Sequence, residues 1–171
     1  MLLKRSLLGQ LPLVVAVKKL QSEFLSGRSA NGDGSEELKL VANAKKVGLL
    51  CLGVAYQRYM AALEEQQEVL ANMTDILMNT FAMESVLLRA QKNREKKGVG
   101  IADDYSAIFL REAMETIESA ARTVLAACVE GDTLRTNLAV LKRFTKFEPV
   151  NAIAVRRKIA SRLLDADRYI A

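Results

Sequence analysis

The carboxylates are the side chains of this sequence with the clearest chemical potential. Glu84 is the most interesting, because it lies on a mostly apolar predicted helix, beside Met83 and near Leu87. A carboxylate buried there would have a raised pKa and could act as a general base. The simpler interpretation, which we favour, is an ion pair between helices with Arg89 or Arg122 as the partner.

Two further acidic groups are weaker candidates. Glu64, Glu65 and Glu68 form a cluster, but a hard cation needs convergent acids or a ligand-bearing loop. The pattern is typical of a solvated helix face. The neighbouring residues Asp103 and Asp104 fit the capped start of a helix better than a general acid pair.

Histidine is missing from the chain. This excludes the Ser–His and Cys–His nucleophile systems and the Glu-x-x-His motif of di-iron bundles. Cys51 and Cys128 each lie in an apolar run, and their spacing is not that of a metal site. They are expected to be small buried side chains in a reducing, cytosolic compartment. We therefore assign no catalytic, cofactor-binding or metal-binding residue to this sequence.

The overall composition is that of a soluble, well-packed protein. The chain has 171 residues, of which 50% are hydrophobic and 26% are charged, with a net charge of +5. Its basic residues are scattered and its aromatic content is 5%, so a nucleic-acid partner is not expected. The longest uncharged apolar run, residues 47–56, is about half of the ~20 residues that a spanning helix needs.

The first part of the sequence predicts a helical arm over residues 1–27, followed by a flexible linker over residues 28–34 that is rich in Gly, Ser and Asn. The arm carries an apolar stripe at helical spacing with Lys18 and Lys19 beside it. This stripe fits a protein surface or, less well, a membrane surface, for which one short basic-apolar segment has weak affinity. The stripe residues, which we take as the candidate packing surface, are Leu13, Val14, Val17, Leu20 and Phe24.

Residues 35–171 are expected to form an antiparallel bundle of four to five helices, so the predicted class is all-α. Ser35 is predicted to cap a first helix that runs to about Leu63. Three later helices are predicted. The first begins at Asp103 or Asp104, and the second follows a cap at Asp132. The third begins at Pro149, with Ile153 facing inward. The clearest apolar stripe follows a three-four rhythm and comprises Val69, Met73, Ile76, Thr80, Met83 and Leu87.

Two stretches of the sequence resemble the C-terminal extension of the larger, very-long-chain type acyl-CoA dehydrogenases. Residues 1–13, MLLKRSLLGQLPL, resemble the segment that follows the helical domain of the dehydrogenase itself. Residues 81–92, FAMESVLLRAQK, resemble a helix of the added bundle. The similarity extends over nearly the whole chain as a pattern of helical blocks, but the Tyr-Glu-Gly-Thr-Asn type stretch that closes the dehydrogenase part is absent.

The resemblance implies that the chain is the C-terminal piece of such an enzyme, with Met1 an internal methionine. The parent would be an FAD-dependent dehydrogenase of acyl-CoA in fatty acid β-oxidation, and its catalytic and FAD-binding residues would lie upstream. This chain would hold no cofactor and would act in packing on the upstream domain, in homo-oligomerisation or in peripheral attachment to the inner face of a membrane. Two alternatives stay open, a freestanding helical interaction protein and a helical enzyme with a site at Glu84.

Overall fold

The structure, a computed structural model, describes Val15, Lys19 and residues 35–168. Every regular element in this part of the chain is helical, which confirms the predicted all-α class. Short connections join the elements, which are α1 (Glu36–Tyr59), a 3-10 turn (Met60–Glu65), α2 (Gln67–Lys97), α3 (Ile101–Cys128), α4 (Gly131–Thr145) and α5 (Ala152–Ala166).

The first four helices form an up–down–up–down bundle. A tight break at Gln66 turns the chain from α1 into α2, and Lys45 pairs with Glu84 across the two antiparallel helices. The Tyr59 hydroxyl, near the end of α1, donates to the Ala127 carbonyl near the end of α3, so these two helices run parallel. Helix α4 then returns along α3. Short loops favour this arrangement because they leave antiparallel neighbours in contact.

The core of the bundle is built from one apolar face of each helix. The predicted α2 stripe is confirmed, since all six of its residues are buried. On α1 the buried face comprises Val41, Ala44, Val47 and Cys51 among others, and α3 supplies the most buried positions because it lies between α1, α2 and α4. Burying one such side chain stabilises a fold by about 1.5–3 kcal/mol, so the bundle needs no disulfide or metal to fold.

Helix α5 has a small core of its own. Ile159 packs against Ile101 and Ile108 of α3 in a cluster separate from the main core. Only one α5 residue is buried, so this helix lies on the flank of the bundle and covers the first half of α3. The expected inward position of Ile153 is wrong, because its side chain is 64% exposed. A helix that contacts a single neighbour buries a narrower face than its apolar residues suggest.

The end of α1 differs from its prediction. The helix ends at Tyr59 rather than near Leu63, because Met60 adopts a positive φ of 48° that an α-helix cannot contain. The chain then makes the 3-10 turn before α2 starts. The predicted cap is confirmed at the other end, where the Ser35 hydroxyl accepts a hydrogen bond from the Leu38 N–H at 3.4 Å.

The predicted starts of α3, α4 and α5 are wrong. Helix α3 begins at Ile101, ahead of both aspartates proposed to start it, and α4 begins at Gly131 with Asp132 in its first turn rather than at the cap. Pro149 does not open α5. The Asn151 side chain caps that helix by accepting from the Ala154 N–H at 3.0 Å, and side-chain caps of this kind fix a helix start.

Replacement by alanine is expected to change stability in opposite directions at two glycines. A Cβ added at Gly48 on α1 would meet Ile76 and Leu77 at 3.7 Å, which is ordinary contact distance. We expect Gly48→Ala to raise the free energy of unfolding by about 0.5–1 kcal/mol, because alanine favours the helix. At Gly98, φ is 78° and ψ is −174°, a conformation nearly restricted to glycine. Gly98→Ala should therefore lower the free energy of unfolding by about 1–3 kcal/mol.

Urea unfolding of both variants beside the unchanged chain measures these effects, and Gly98→Ala serves as the control for Gly48→Ala. A loss of stability in Gly48→Ala would mean that the side chains of Ile76 and Leu77 leave less room for a Cβ than the 3.7 Å distances indicate.

Candidate functional site

Glu84 is an ion-pair residue and not a buried base. Its side chain is 42% exposed and its Oε1 lies 2.5 Å from Lys45 Nζ. The expected pairing of helices is confirmed, but the expected partners are wrong. Arg122 pairs instead with Glu118 on its own helix. Glu84 is therefore an exposed partner in an ion pair between helices and lacks the apolar surroundings proposed for a general base.

The other acidic candidates divide into two kinds. Glu64, Glu65 and Glu68 are exposed on the 3-10 turn and the first turn of α2. Asp103 is structural, since its Oδ2 accepts from the Gly100 N–H at 2.8 Å and its Oδ1 accepts from Arg94. This is the carboxylate half of a capping box, in which the third helical residue reaches back to the cap.

The electrostatics of Asp103 follow from these contacts. Partial burial acts to raise the pKa of its carboxyl. Hydrogen bonds from the Gly100 N–H and the Arg94 guanidinium outweigh that effect and hold the pKa of Asp103 below its ordinary value. Asp103 is thus ionised at neutral pH and fixes the turn between α2 and α3.

The most tightly held charged group, Arg111 on α3, was missed by the sequence analysis. Its side chain is 8% exposed. Nε donates to the Glu148 carbonyl and Nη1 to the Ala107 carbonyl, both at 2.9 Å, and Nη2 donates to Glu36 Oε2 at 3.2 Å. Glu36 Oε1 in turn accepts from the Glu148 N–H at 3.0 Å. We call these residues, Glu36, Arg111 and Glu148, the arginine hub.

The arginine hub joins three distant parts of the chain. It links the start of α1, the middle of α3 and the segment between α4 and α5. A signal for it exists in the sequence, because Arg111 lies three residues from both Ile108 and Met114 on the apolar stripe of α3. A charged residue inside such a stripe must find partners when it is buried.

Ion pairs also hold α5 on α3. Arg156 pairs with Glu112, and Lys158 Nζ lies 2.8 Å from Asp104 Oδ2, with Arg162 3.8 Å from the same oxygen. These pairs run in opposite order along the two helices, so α5 is antiparallel to α3. Pairs of this partly exposed kind contribute little stability individually, but together they specify how α5 lies on the bundle.

Both cysteines are buried in the main core, as predicted. Burial, together with a smaller effect of the nearby Cys128, raises the pKa of Cys51 to about 12. Burial likewise raises the pKa of Cys128. Since the thiolate is the reactive form of cysteine, neither side chain is a nucleophile at neutral pH.

A row of apolar side chains lies uncovered on the outer side of α1 and α2. They are 39% to 73% exposed, although core helices bury most residues of this type. The row crosses from one helix to the other at Gly48, whose Cβ position faces Leu77. We call it the α1–α2 band, and its members are Leu38, Leu49, Leu77, Phe81 and Leu88.

The five residues of the predicted packing surface on the arm, Leu13, Val14, Val17, Leu20 and Phe24, lie outside the described residues. Their packing role stays a prediction. Val15 and Lys19, which are described, are helical and exposed. Across the described ranges, no helix is long and apolar enough to cross a membrane, and no three acidic or cysteine side chains converge as metal ligands would.

Two surface grooves have no assigned role. One, of about 200 Å³, lies between α3 and the start of α5 beside Arg111 and Pro149. The other, of about 350 Å³, lies at the turn between α2 and α3 beside Lys97 and Arg162. Both are open to solvent; the volume of the first lies below the range of about 300–1,000 Å³ for small-molecule pockets, and that of the second lies at its lower end.

Comparison with known proteins adds three findings. Residues 43–143 match the family model described as acyl-CoA dehydrogenase, C-terminal domain. The chain is 36% identical over 173 aligned positions to a Bacillus subtilis (strain 168) protein called "Probable acyl-CoA dehydrogenase". It is also 36% identical, with a TM-score of 0.85, to the crystal structure of an acyl-CoA dehydrogenase complexed with FAD from Bacillus anthracis.

These similarities cover 98% and 99% of this chain but only 29% of each relative. The chain therefore spans less than a third of the length of both proteins. The family match extends from α1 to α4 and so includes most of the main core.

Replacement of Arg111 tests the arginine hub. We expect Arg111→Met to lower the free energy of unfolding by about 2–4 kcal/mol, because two carbonyls and a carboxylate lose their shared donor. The matched control is Arg135→Met, since Arg135 is exposed and pairs with Asp132 on its own helix. Its effect should stay within about 0.5 kcal/mol. Equal losses in the two variants, measured by urea unfolding, would contradict the hub.

The lowered pKa of Asp103 predicts a pH dependence. A carboxyl whose pKa is lower in the folded state contributes stability above its unfolded pKa of about 3.9, and this is lost as the pH falls through the folded value. Asp103→Asn should therefore lower stability at pH 7 by about 1 kcal/mol and flatten its fall below about pH 4.

The control for this experiment is Asp132→Asn, because Asp132 also lies in a first helical turn but is almost fully exposed. Urea unfolding at a series of pH values gives the comparison. Parallel stability curves for Asp103→Asn and the unchanged chain would show that Asp103 has an ordinary pKa.

Proposed function

Since the chain belongs to the family of acyl-CoA dehydrogenase C-terminal domains, we propose that it is the non-catalytic helical part of a longer FAD-dependent enzyme. That enzyme would remove hydrogen from the α and β carbons of an acyl-CoA thioester. The observation that carries the proposal is the similarity of the whole chain, at 36% identity, to less than a third of an FAD-complexed acyl-CoA dehydrogenase.

The properties of the described residues agree with a supporting role. The carboxylates sit in ion pairs, in caps or on exposed surfaces, and the two thiols are protonated at neutral pH. FAD, when bound, would accept a hydride from the substrate, and its binding residues belong to the upstream part. No residue of this chain is assigned to the flavin or to the acyl-CoA.

The helical domain would act through its surfaces. The arginine hub and the main core hold α1 to α4 as one body, which is what a packing module requires. We propose that the arm stripe of Leu13, Val14, Val17, Leu20 and Phe24 packs on the upstream domain or on a second copy of the enzyme. An amphipathic helix with apolar residues at this spacing buries one face against a partner.

The size of the natural protein tests the first part of this proposal. An antibody against this chain should detect a band in source cells roughly three times heavier than 18.9 kDa, because the chain spans 29% of its relatives. A band at 18.9 kDa would instead favour a freestanding helical interaction protein.

Activity tests the second part. The purified longer protein should be yellow from bound flavin, and an acyl-CoA should bleach the flavin absorbance under anaerobic conditions. Removing the helical domain, residues 35–171, should change the oligomeric state or the thermal midpoint while the remaining protein still binds flavin. Loss of flavin on this truncation alone would mean that the helical domain contributes to the cofactor site.

A further inference from the structure

The α1–α2 band is an exposed apolar surface that a single ion pair interrupts. Leu77, Phe81 and Leu88 lie four and eleven residues apart on α2, a spacing that places them on one helix face. Leu38 and Leu49 lie eleven residues apart on α1, and Gly48 brings the two helices together at the level of Leu77. The band therefore follows both helices along most of their shared length.

Within the described residues the band is not covered by another helix. Helices α1 and α2 turn their inner faces toward α3, and α4 packs against α1 and α3. Helix α5 lies on α3 at the flank of the bundle. Phe81 is the most exposed member, at 73%. Contiguous exposed apolar surface of this kind marks an interaction site on soluble proteins.

The way the chain enters the bundle indicates what covers the band. The upstream chain joins α1 at Ser35, and Leu38, the first residue of the band, follows within one helical turn. Only seven residues separate the predicted end of the arm at Gly27 from Ser35, so the two positions are at most about 29 Å apart. A domain on which the arm packs would thus be held close to this end of the band.

Both relatives also have a large part of their polypeptide that could cover the band. More than two-thirds of each lies outside the region that this chain matches. Two parts of one polypeptide joined by a short tether meet at an effective concentration on the order of millimolar. A moderate apolar surface is then enough to keep them packed, whereas two separate chains need a larger interface.

We propose that the α1–α2 band is the surface by which this helical domain packs on the preceding part of the same polypeptide. The inference rests on the proposed function, because it requires the longer protein. Phe81 and Leu77 form its centre, flanked by Leu49, Leu38 and Leu88. The Lys45–Glu84 pair lies within the band and supplies a polar contact inside an otherwise apolar surface.

Hydroxyl-radical footprinting of the longer protein and of the 171-residue chain tests this inference. Oxidation of Leu77 and Phe81 should be slower by roughly fivefold or more in the longer protein, because packed side chains lose contact with solvent. Leu164 on α5 is 80% exposed and lies outside the band, so its oxidation should be equal in both proteins. Equal oxidation of Leu77 and Phe81 would overturn the proposal.

A second measurement uses the variants Phe81→Glu and Leu164→Glu. Phe81→Glu should lower the thermal midpoint of the longer protein or separate its parts in limited proteolysis, and should leave the 171-residue chain unchanged because the position is exposed there. Leu164→Glu should affect neither protein. Destabilisation of the 171-residue chain by Phe81→Glu would overturn the proposal, because it would mean that the position is covered within this chain.

The outcomes separate this inference from the proposed function. Protection that appears in the 171-residue chain and grows with its concentration would assign the band to a second copy and overturn the inference. A longer protein that oxidises acyl-CoA without protection of the band would overturn it while the proposed function stands. A longer protein without flavin whose band is protected would support the inference and remove the proposed function.

Discussion

A guanidinium group buried inside a helical bundle needs hydrogen-bond acceptors around it, and this requirement shapes one side of the molecule. Arg111 meets it by donating to two carbonyls and to Glu36. The two carbonyls come from α3 itself and from the segment that leads into α5. The fold therefore cannot place α3 without also placing the start of α1 and the connection from α4. Burial without those partners would cost several kcal/mol.

The rest of the bundle is arranged around the same helix. Helix α3 packs against α1, α2, α4 and α5, so it is the element that every other helix contacts. Its two ends are fixed by different means. The Asp103 capping box and the Arg94 pair hold the first turn, and the Tyr59 hydroxyl bonds near the last one. A central helix held at both ends gives a body that keeps its shape while its outer surfaces remain available.

The outer surface of the bundle holds both charged and large apolar side chains. Glu84 illustrates the point, because it lies on α2 beside an apolar stripe and yet is paired with Lys45 near the surface. The carboxylates that were candidates in the sequence form an ion pair, cap a helix or lie exposed, and the two buried thiols are unreactive. In contrast, Phe81 and Leu77 are 73% and 54% exposed within the described bundle, although they are the kind of residue that a core would bury.

The sequence by itself determined the all-α class, because the spacing of apolar residues is a local property. It also determined the inner face of α2, where the six residues of the apolar stripe between Val69 and Leu87 are buried as their spacing predicts. It also determined that no histidine-based chemistry exists here. Helix ends were less predictable, because Met60 and Asn151 act through backbone conformation and a cap rather than through hydrophobic pattern. Only the tertiary structure decided which charges meet, since Glu36 and Arg111 are 75 residues apart in sequence. It also decided that Ile153 and Phe81 stay exposed. Periodicity tells which side of a helix is apolar, whereas burial depends on how many neighbours that side meets.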